Sequence, residues 1–308
     1  MTSPPDLPHV EWRGERVPRV ILGAAQLGMN YGIANTTGRP GPDTVRAIVQ
    51  TAWESGITHF DTAPAYGASE SALGAAMHDL GIATKACVTS KIELTREPRE
   101  VAASIETTLE QLRVDRLWCL MLHHPDHIEF WDVCGEILET LRAEGRARHL
   151  GVSLSPLKDA PRCIEHPALD VLQIPCNAWD TRPLRLGIFD AARDADKLCC
   201  VRSVYLQGLL TMPRERAAAM LPPAAAAARA WHKFAADARL DPKEAAVRFG
   251  MALGAPLVIG AETAAQLRET LEFARRGQLG PESIEAMAAA IDPVINDKIL
   301  EPWKWRER

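Results

Sequence analysis

The 308-residue sequence has no apolar run that reaches the roughly 18 residues a membrane-spanning helix requires. It also lacks an excess of basic residues, since its formal net charge is -5 and no Lys/Arg run could follow a phosphate backbone. The first residues, MTSPPDLPHVEW, contain no basic segment followed by an apolar core, so no signal peptide is expected. These absences predict a protein that binds neither membranes nor nucleic acids.

Cysteine is present but lacks the patterns that would give it a structural or metal-binding role. The seven cysteines form no CxxC pair and no Cys/His cluster with zinc spacing, so no metal site is expected. Most of them lie in apolar, strand-like runs, where cysteine behaves as a small buried hydrophobic residue. This use of cysteine is typical of the reducing cytoplasm, which is the predicted location of the protein.

The sequence alternates short apolar, β-branched runs with longer helical patterns. Several of the strand candidates are apolar on both faces, as expected of parallel strands buried under helices. The eight candidates are 19–26, 57–63, 86–92, 116–124, 147–155, 169–177, 197–206 and 255–260. Eight such units predict an α/β fold, a (β/α)8 TIM barrel, as a single domain over residues 1–308. A doubly wound sheet is the alternative, but GAAQLG after the first strand is not the GxGxxG fingerprint.

Three segments lie outside the repeating strand–helix units. HVEWRGERVPRV, ahead of the first barrel strand, predicts a hairpin with its turn near Arg13 and Gly14 that could plug the barrel floor. Residues 214–240 are interpreted as a helical insertion after the seventh strand. The segment from residue 281 predicts an extra C-terminal helix followed by an irregular end.

Polar side chains follow three neighbouring strands. Asp61 ends the second strand and Tyr66, one of only three tyrosines, lies in the loop after it. Lys91 ends the third strand, and His123 and His124 end the fourth. In a TIM barrel the C-terminal ends of the strands carry the active site, so these groups are expected to meet at one rim. Each residue alone could have a structural role, such as a turn cap or a solvated side chain, but their joint occurrence at neighbouring strand ends favours a catalytic role.

Proton donation to a carbonyl oxygen is the chemistry that this set of residues suits. A phenol with an ordinary pKa near ~10 is a poor acid at neutral pH, and a nearby ammonium stabilises its phenolate. We therefore predict that Tyr66 is the general acid, that Lys91 tunes it and that Asp61 holds Lys91. A histidine beside the phenol would orient the carbonyl, and either His123 or His124 could do so.

The motifs DTAPAYG-x-SE, a strand-terminal SK, LHHPD and GVS together resemble the aldo-keto reductase superfamily. The resemblance runs from LGAAQLG to VIGAETAAQLRETL, nearly the whole chain. It implies a (β/α)8 barrel that reduces aldehydes or ketones with a nicotinamide cofactor. The family's catalytic tetrad falls on Asp61, Tyr66, Lys91 and His123. His123 is preferred because the family pattern is His-x-Pro, and His124 is then expected to face away.

The resemblance also implies where the cofactor binds. Ser153 and Gln173 match the positions that hold the nicotinamide carboxamide. Gly208 and Leu209 match the loop that covers the pyrophosphate. The stretch that starts at Gly260 enters a helix whose N-terminus would receive the adenosine phosphate. Two residues of that stretch match adenosine-contacting positions: Gln266 and Glu269. A solvated helix face is the alternative interpretation for these two.

The chain departs from the family pattern at four places near the cofactor, one of which is Thr270 in place of the asparagine of the family's usual Glu-Asn pair. Leu154 replaces the asparagine of GVSN. Arg202 stands where an aromatic residue often stacks on the nicotinamide, and its planar guanidinium is predicted to contact the ring there. Thr263, next to Glu262, stands where a basic residue often binds the 2′-phosphate of NADP. The resemblance to the family still favours NADP, with NAD as the alternative. Positive charge on the following helix also favours NADP, and it comes from Arg268, Arg275 and Arg276.

The sequence therefore predicts an NAD(P)-dependent aldo-keto reductase that reduces a small carbonyl compound or oxidises the corresponding alcohol. The loop 31–40 over the barrel mouth, with Tyr31, Asn35 and Thr36, suits a polar, sugar-like substrate. Asp180 and Arg182 are interpreted as an internal ion pair. Two other functions remain open: a nicotinamide-binding regulatory barrel with little turnover, and a redox-neutral enzyme with a tightly bound cofactor.

Overall fold

Eight parallel strands form a closed barrel in the computed structural model, which describes residues 7–306. Each strand pairs with its neighbour in chain order, and the last strand pairs with the first. The strands are β3 (Val20–Gly23), β4 (His59–Asp61), β5 (Cys87–Ile92), β6 (Leu117–Leu122), β7 (Ala147–Ser153), β8 (Val171–Pro175), β9 (Leu198–Arg202) and β10 (Leu257–Gly260). The predicted (β/α)8 barrel is confirmed.

The barrel strands are buried on both faces because one face fills the interior and the other lies under helices. In β6, Cys119 and Met121 pack inside with Ile21, whereas Leu120 and Leu122 pack in the layer between the strands and the helices. Full burial of one such leucine contributes about 1.5–3 kcal/mol. An uninterrupted apolar run is therefore stable here, although it would be costly in a sheet with one solvated face.

Helices surround the barrel; most lie between consecutive strands, and the last three follow β10. They are α1 (Ala25–Gly28), α2 (Pro42–Glu54), α3 (Ser69–Asp79), α4 (Pro98–Leu112), α5 (Trp131–Ala143), α6 (Ala160–Glu165), α7 (Arg182–Arg185), α8 (Ile188–Asp194), α9 (Arg214–Met220), α10 (Ala225–Asp237), α11 (Pro242–Ala252), α12 (Ala264–Arg275), α13 (Pro281–Ile291) and α14 (Asp297–Leu300). The predicted insertion forms α9 and α10, and the predicted C-terminal helix is α13. Among residues 7–306, no helix has both the length and the apolar character needed to cross a membrane.

An antiparallel hairpin, β1 (His9–Trp12) and β2 (Glu15–Pro18), covers the N-terminal end of the barrel. Arg13 and Gly14 at its turn both have positive φ, as a two-residue hairpin turn requires. Glu15 accepts hydrogen bonds from Trp118 Nε1 at 2.9 Å and shares one with His149 Nε2 at 2.8 Å. These contacts hold the hairpin against the floor of the barrel, as predicted.

All eight barrel strands are shorter than predicted, and in two of them the chain leaves the strand well before the expected C-terminal end. The run 19–26 is a strand only as far as Gly23, because the chain turns into α1 from Ala25. The run 197–206 ends at Arg202, and the 3-10 helix Leu206–Thr211 follows. Its apolar residues Leu206 and Leu209 are still buried, but they reach the core from a loop. Both early endings leave backbone at the C-terminal rim free to shape a cavity.

Candidate active site

Asp61 and Lys91 form a buried ion pair at the rim. They lie on the adjacent strands β4 and β5, and their side chains are nearly inaccessible to solvent. Lys91 Nζ donates to Asp61 Oδ1 at 2.8 Å, to Oδ2 at 2.9 Å and to the Thr62 carbonyl oxygen at 3.0 Å. Burial by itself would lower the pKa of Lys91, but the charges of Asp61 and Tyr66 outweigh burial and raise it. The ammonium is therefore charged and fully hydrogen-bonded, as a buried cation must be.

Tyr66 lies directly above this pair. It ends the 3-10 helix Pro64–Tyr66, and its ring centroid is 5.1 Å from Lys91 Nζ. Two glycines fix the position of this turn: a Cβ on Gly28 would lie 2.2 Å from the Tyr66 carbonyl oxygen, and one on Gly67 would lie 2.8 Å from the Gly28 oxygen. Since Gly67 also has a φ of +64°, only glycine fits there without strain.

His123 completes the group from the other side of Lys91. Its backbone N–H donates to the Ile92 carbonyl at 2.8 Å, which continues the pairing of β5 with β6 by one residue. The imidazole lies edge-on to the Tyr66 ring, with 6.0 Å between centroids. Burial, followed by the positive charge of Lys91, lowers the pKa of His123 to about 3. His123 is therefore a neutral imidazole at physiological pH.

His124 also lines the cavity, so the expectation that it faces away is wrong. Its ring is stacked on that of His123, with 5.0 Å between centroids and 9° between planes. The expectation assumed that strand alternation continues, but β6 ends at Leu122 and the chain then enters the 3-10 helix Pro125–Phe130. Both histidines can therefore face the same space.

A cavity of about 900 Å³ opens at the C-terminal ends of the strands. Most of the residues predicted as catalytic or cofactor-binding line it: Asp61, Tyr66, His123, Ser153, Gln173, Arg202, Gly208, Gly260, Gln266 and Glu269. Lys91 lies beneath the lining and reaches it only through Asp61 and Tyr66. Leu209 is not part of the lining either, because its side chain is buried in the hydrophobic core.

One end of the cavity holds an unsatisfied hydrogen-bond acceptor. Gln173 donates from Nε2 to Asp61 Oδ2 at 2.6 Å, which fixes the orientation of the amide. Its Oε1 is then buried with no partner among residues 7–306. Such an unmade hydrogen bond costs about 1–3 kcal/mol. The NH₂ group of a nicotinamide carboxamide would satisfy this oxygen, so the residues here fit that cofactor.

The other end of the cavity is formed by the start of α12. Thr263 caps this helix by accepting from the Gln266 N–H at 3.2 Å, and Gln266 Oε1 accepts from the Glu262 N–H at 2.8 Å. Lys243 Nζ lies 3.0 Å from a Glu269 carboxylate oxygen. A helix N-terminus attracts anions, as expected for a site that receives a phosphate.

Two of the arginines that favoured NADP point elsewhere. Arg268 donates to Thr51 Oγ1 at 3.2 Å, and Arg276 pairs with Glu244 at 2.7 Å. Neither of them is part of the cavity lining, and Arg275 is not part of it either. Lys243 is a cation in the cavity lining, where it pairs with Glu269, and sequence reasoning missed it because it lies on α11.

Two loops meet over the cavity. The Ala34 N–H donates to the Gln207 carbonyl at 3.4 Å, and Arg216 from the helical insertion donates to the Ala34 carbonyl at 3.1 Å. Gly208, with a φ of +89°, allows the close approach, since a Cβ there would lie 2.3 Å from the Ala34 Cβ. The loop 31–40 therefore lies at the mouth, as predicted, and is joined to the segment expected to cover the pyrophosphate.

Gln26 is a further lining residue that the sequence did not reveal. It lies on α1, and its side chain occupies the space where a Cβ on Gly260 would lie, 2.0 Å from Gln26 Oε1. The only sequence feature that could have indicated Gln26 is the glycine at the end of the last strand, Gly260, which leaves room for this side chain.

The predicted ion pair between Asp180 and Arg182 is confirmed, with 2.8 Å between Asp180 Oδ1 and Arg182 Nε.

The chain was compared with curated proteins. It is 25% identical to D-threo-aldose 1-dehydrogenase of a Pseudomonas species over 304 residues, 85% of this chain and 90% of that one. It is 26% identical to the aldo-keto reductase YhdN of Bacillus subtilis, over 61% of this chain and 60% of that one. L-galactose dehydrogenase of Arabidopsis thaliana is 31% identical over 47% of each chain. The chain thus spans from about half to most of the length of these relatives.

Solved structures share the same fold. The glycerol dehydrogenase AKR11B4 from Gluconobacter oxydans superimposes with a TM-score of 0.74 at 22% identity, covering 96% of this chain and 97% of that one. The aldo-keto reductase AKR11C1 from Bacillus halodurans, in its holo form, gives a TM-score of 0.76 at 16% identity, covering 96% and 99%. The model of the Aldo/keto reductase family matches residues 19–292. The chain therefore belongs to the aldo/keto reductase family, whose members are oxidoreductases of carbonyl compounds and alcohols that use nicotinamide cofactors.

Proposed function

We propose that this protein is an NAD(P)-dependent oxidoreductase that reduces an aldehyde or ketone, or oxidises the corresponding alcohol, with Tyr66 as the general acid or base. The observation that carries the proposal is the arrangement of Tyr66 between a buried, charged Lys91 and a neutral His123 in the wall of one cavity. A structural rim would have no use for a fully buried ammonium beside a phenol, because burying the charge costs free energy.

Each member of the tetrad has a distinct task in carbonyl reduction. Tyr66 donates its proton to the carbonyl oxygen as negative charge develops there. Lys91 stabilises the resulting phenolate through its charge, which Asp61 and the Thr62 carbonyl hold in place beside Tyr66. His123 is neutral, so it donates a hydrogen bond that orients the carbonyl without competing with Tyr66 as the acid.

A reduced nicotinamide would supply the hydride that the carbonyl carbon receives. Gln173 Oε1 and Ser153 would bind its carboxamide, and Gly208 leaves room for the backbone of the covering loop to approach the pyrophosphate. The start of α12 would receive the adenosine phosphate, with Gln266 and Glu269 beside the adenosine. Leu209 would then support the loop from the core rather than contact the cofactor by its side chain.

The choice between NADP and NAD rests on the α12 end of the cavity. The family background predicts NADP, while Thr263, Glu262 and the outward direction of Arg268 and Arg276 offer little to bind a 2′-phosphate. Lys243 is the available cation, although Glu269 pairs with it. We therefore expect NADP to bind with weak discrimination against NAD.

Polar compounds that resemble sugars are the substrates we expect. Two relatives are named as dehydrogenases of aldoses and of galactose, and the mouth of this cavity presents Tyr31 and Asn35. The seven cysteines are unpaired, which fits the reducing cytoplasm as the place of action.

The proposal is tested by mixing the protein with each reduced cofactor and a panel of small aldehydes and ketones, and by following the near-ultraviolet absorbance of the reduced nicotinamide. Loss of absorbance only when protein, cofactor and carbonyl are all present supports the proposal. No loss with any compound, despite measurable cofactor binding, would favour the regulatory barrel. Cofactor that stays bound through purification, with substrate consumed at constant absorbance, would favour a redox-neutral enzyme.

A further inference from the structure

Arg202 is a cation in the cavity wall that has no carboxylate partner among residues 7–306. It is the last residue of β9 and is half-buried, and its Nη1 donates a hydrogen bond to Ser203 Oγ at 3.3 Å. Its Nε is buried with no partner among residues 7–306. Within the same residues, no carboxylate lies within ion-pair distance of it. An unpaired, partly desolvated guanidinium costs free energy unless a ligand supplies the opposite charge.

The carboxylates that line the cavity are paired with other cations or lie at the α12 end of the cavity. Asp61 pairs with Lys91, and Glu269 pairs with Lys243. Glu301 pairs with Lys304, and Glu262 lies at the α12 end, where its N–H binds Gln266. The negative charge that Arg202 lacks is therefore not provided by the wall around it.

Barrel topology places Arg202 across the mouth from the catalytic group. In the closed order of eight strands, β9 is four strands from β5 in either direction. Tyr66 and His123 follow β4 and β6, which flank β5. Arg202 and His123 both line this cavity, and the Arg202 charge is one of the smaller causes that lower the pKa of His123. A compound held between them would present its carbonyl to Tyr66 and its far group to Arg202.

We propose that Arg202 binds a carboxylate of the substrate, so that the enzyme reduces an oxo acid to the hydroxy acid or catalyses the reverse. This inference rests on the proposed function and defines its substrate class. In the reduction, the carbonyl carbon gains a hydride from the nicotinamide, which is oxidised, and the oxygen gains the Tyr66 proton; the carboxylate is unchanged. A single carboxylate matches the single charge of Arg202, and the in-plane N–H groups of a guanidinium suit its two oxygens.

Binding a carboxylate is compatible with contact between Arg202 and the nicotinamide, which the sequence predicts. Stacking uses the flat face of the guanidinium, whereas Nε donates from its edge. The two roles are also linked by charge: Arg202 alone disfavours the positively charged oxidised ring, and a bound carboxylate would offset this repulsion.

The test compares acids with neutral compounds of nearly equal shape. Succinic semialdehyde and glyoxylate are each measured against their methyl esters, with wild type, Arg202→Met and Arg202→Lys. We expect wild type to favour the acid in kcat/KM by about tenfold or more, equivalent to about 1.4 kcal/mol. Arg202→Met should bring the acid-to-ester ratio of kcat/KM close to one. Arg202→Lys should retain part of the preference for the acid, since lysine keeps the positive charge but cannot donate two in-plane hydrogen bonds to one carboxylate. Arg182→Met is the matched control and should not alter the ratio, because Arg182 already pairs with Asp180.

Three results would overturn the inference. One is equal reduction of acids and esters by wild type, and another is an unchanged ratio in Arg202→Met. The third is a selective preference for glyceraldehyde 3-phosphate over glyceraldehyde and over both acids, which would assign a phosphate. If Arg202→Met binds the reduced cofactor more weakly but keeps the wild-type acid-to-ester ratio, Arg202 contacts the nicotinamide and does not bind a substrate carboxylate. Failure of the proposed function is distinct, because then neither acids nor esters would be reduced.

Discussion

Replacement of Lys91 by methionine separates the structural role of the buried ion pair from its role in catalysis. Methionine keeps most of the length of the side chain but removes the charge and all three hydrogen bonds to Asp61 and Thr62. Asp61 would keep only the Gln173 amide as a partner. Removing one member of a buried pair costs about 3–5 kcal/mol, because the other charge is left uncompensated. Chemical denaturation should show a loss of this size.

The catalytic effect can be calculated separately. With Lys91 Nζ 5.1 Å from the Tyr66 ring centroid, two unit charges at an effective dielectric constant of about 20 interact by about 3 kcal/mol. Loss of that stabilisation of the phenolate should slow turnover by roughly a hundredfold, since about 1.4 kcal/mol corresponds to a factor of ten. The double variant Lys91→Met with Asp61→Asn removes both charges and should regain much of the stability but none of the activity.

Lys197→Met is the matched control, because Lys197 is also buried but lies at the start of β9 and donates to the carbonyls of His166 and Leu169. It should lose stability and keep its kcat once folded. The reasoning is refuted if the double variant recovers turnover together with stability. It is also refuted if Lys91→Met is as stable as wild type.

Three further outcomes are expected. His123→Ala should lower kcat/KM for carbonyl reduction more than His124→Ala, and the reverse ranking would transfer the role to His124. Ionisation of His123 should not appear in the wild-type pH profile between about pH 5 and 8, because burial and Lys91 lower its pKa to about 3. Thr263→Arg should tighten NADPH more than NADH in fluorescence titrations, and equal effects on both would place the 2′-phosphate elsewhere. Lowering the pH from about 6.5 to 4 should destabilise the fold by up to about 3 kcal/mol through His59. Burial lowers the pKa of its ring to about 4, so in this range the unfolded chain binds a proton that the folded chain does not. His59→Gln should flatten that part of the stability curve, and an unchanged curve would contradict the assignment.

The polar ends of the buried strands could be identified from sequence because parallel strands under helices are otherwise apolar. Asp61, Lys91 and His123 each interrupt or follow such a run, and the closed barrel brings them together. The strand count and the floor hairpin follow from the same local patterns. These features depend on neighbours that are close in sequence or on the regular pairing of strands.

Side-chain directions beyond the strand ends could not be predicted. His124 faces the cavity because β6 ends before it, and Leu209 faces the core because the 3-10 helix Leu206–Thr211 turns it inward. Gln26 on α1 and Arg216 on α9 lie at the cavity because they contact segments that are distant in the sequence. Arg268 was expected near the cofactor, but a hydrogen bond to Thr51 on α2 draws it away. Such contacts are set by tertiary packing, which overrides the local pattern.

The central claim, that Tyr66 exchanges the proton in a nicotinamide-dependent reduction, is tested most directly by Tyr66→Phe. Rapid mixing of the cofactor-loaded variant with a carbonyl substrate, monitored by the absorbance of the reduced nicotinamide, measures the chemical step, and fluorescence titration measures cofactor binding. We predict a rate lower by on the order of 100-fold or more, the usual contribution of a positioned general acid, with cofactor affinity unchanged. A Tyr66→Phe protein that reduces the substrate at nearly the wild-type rate would contradict the account.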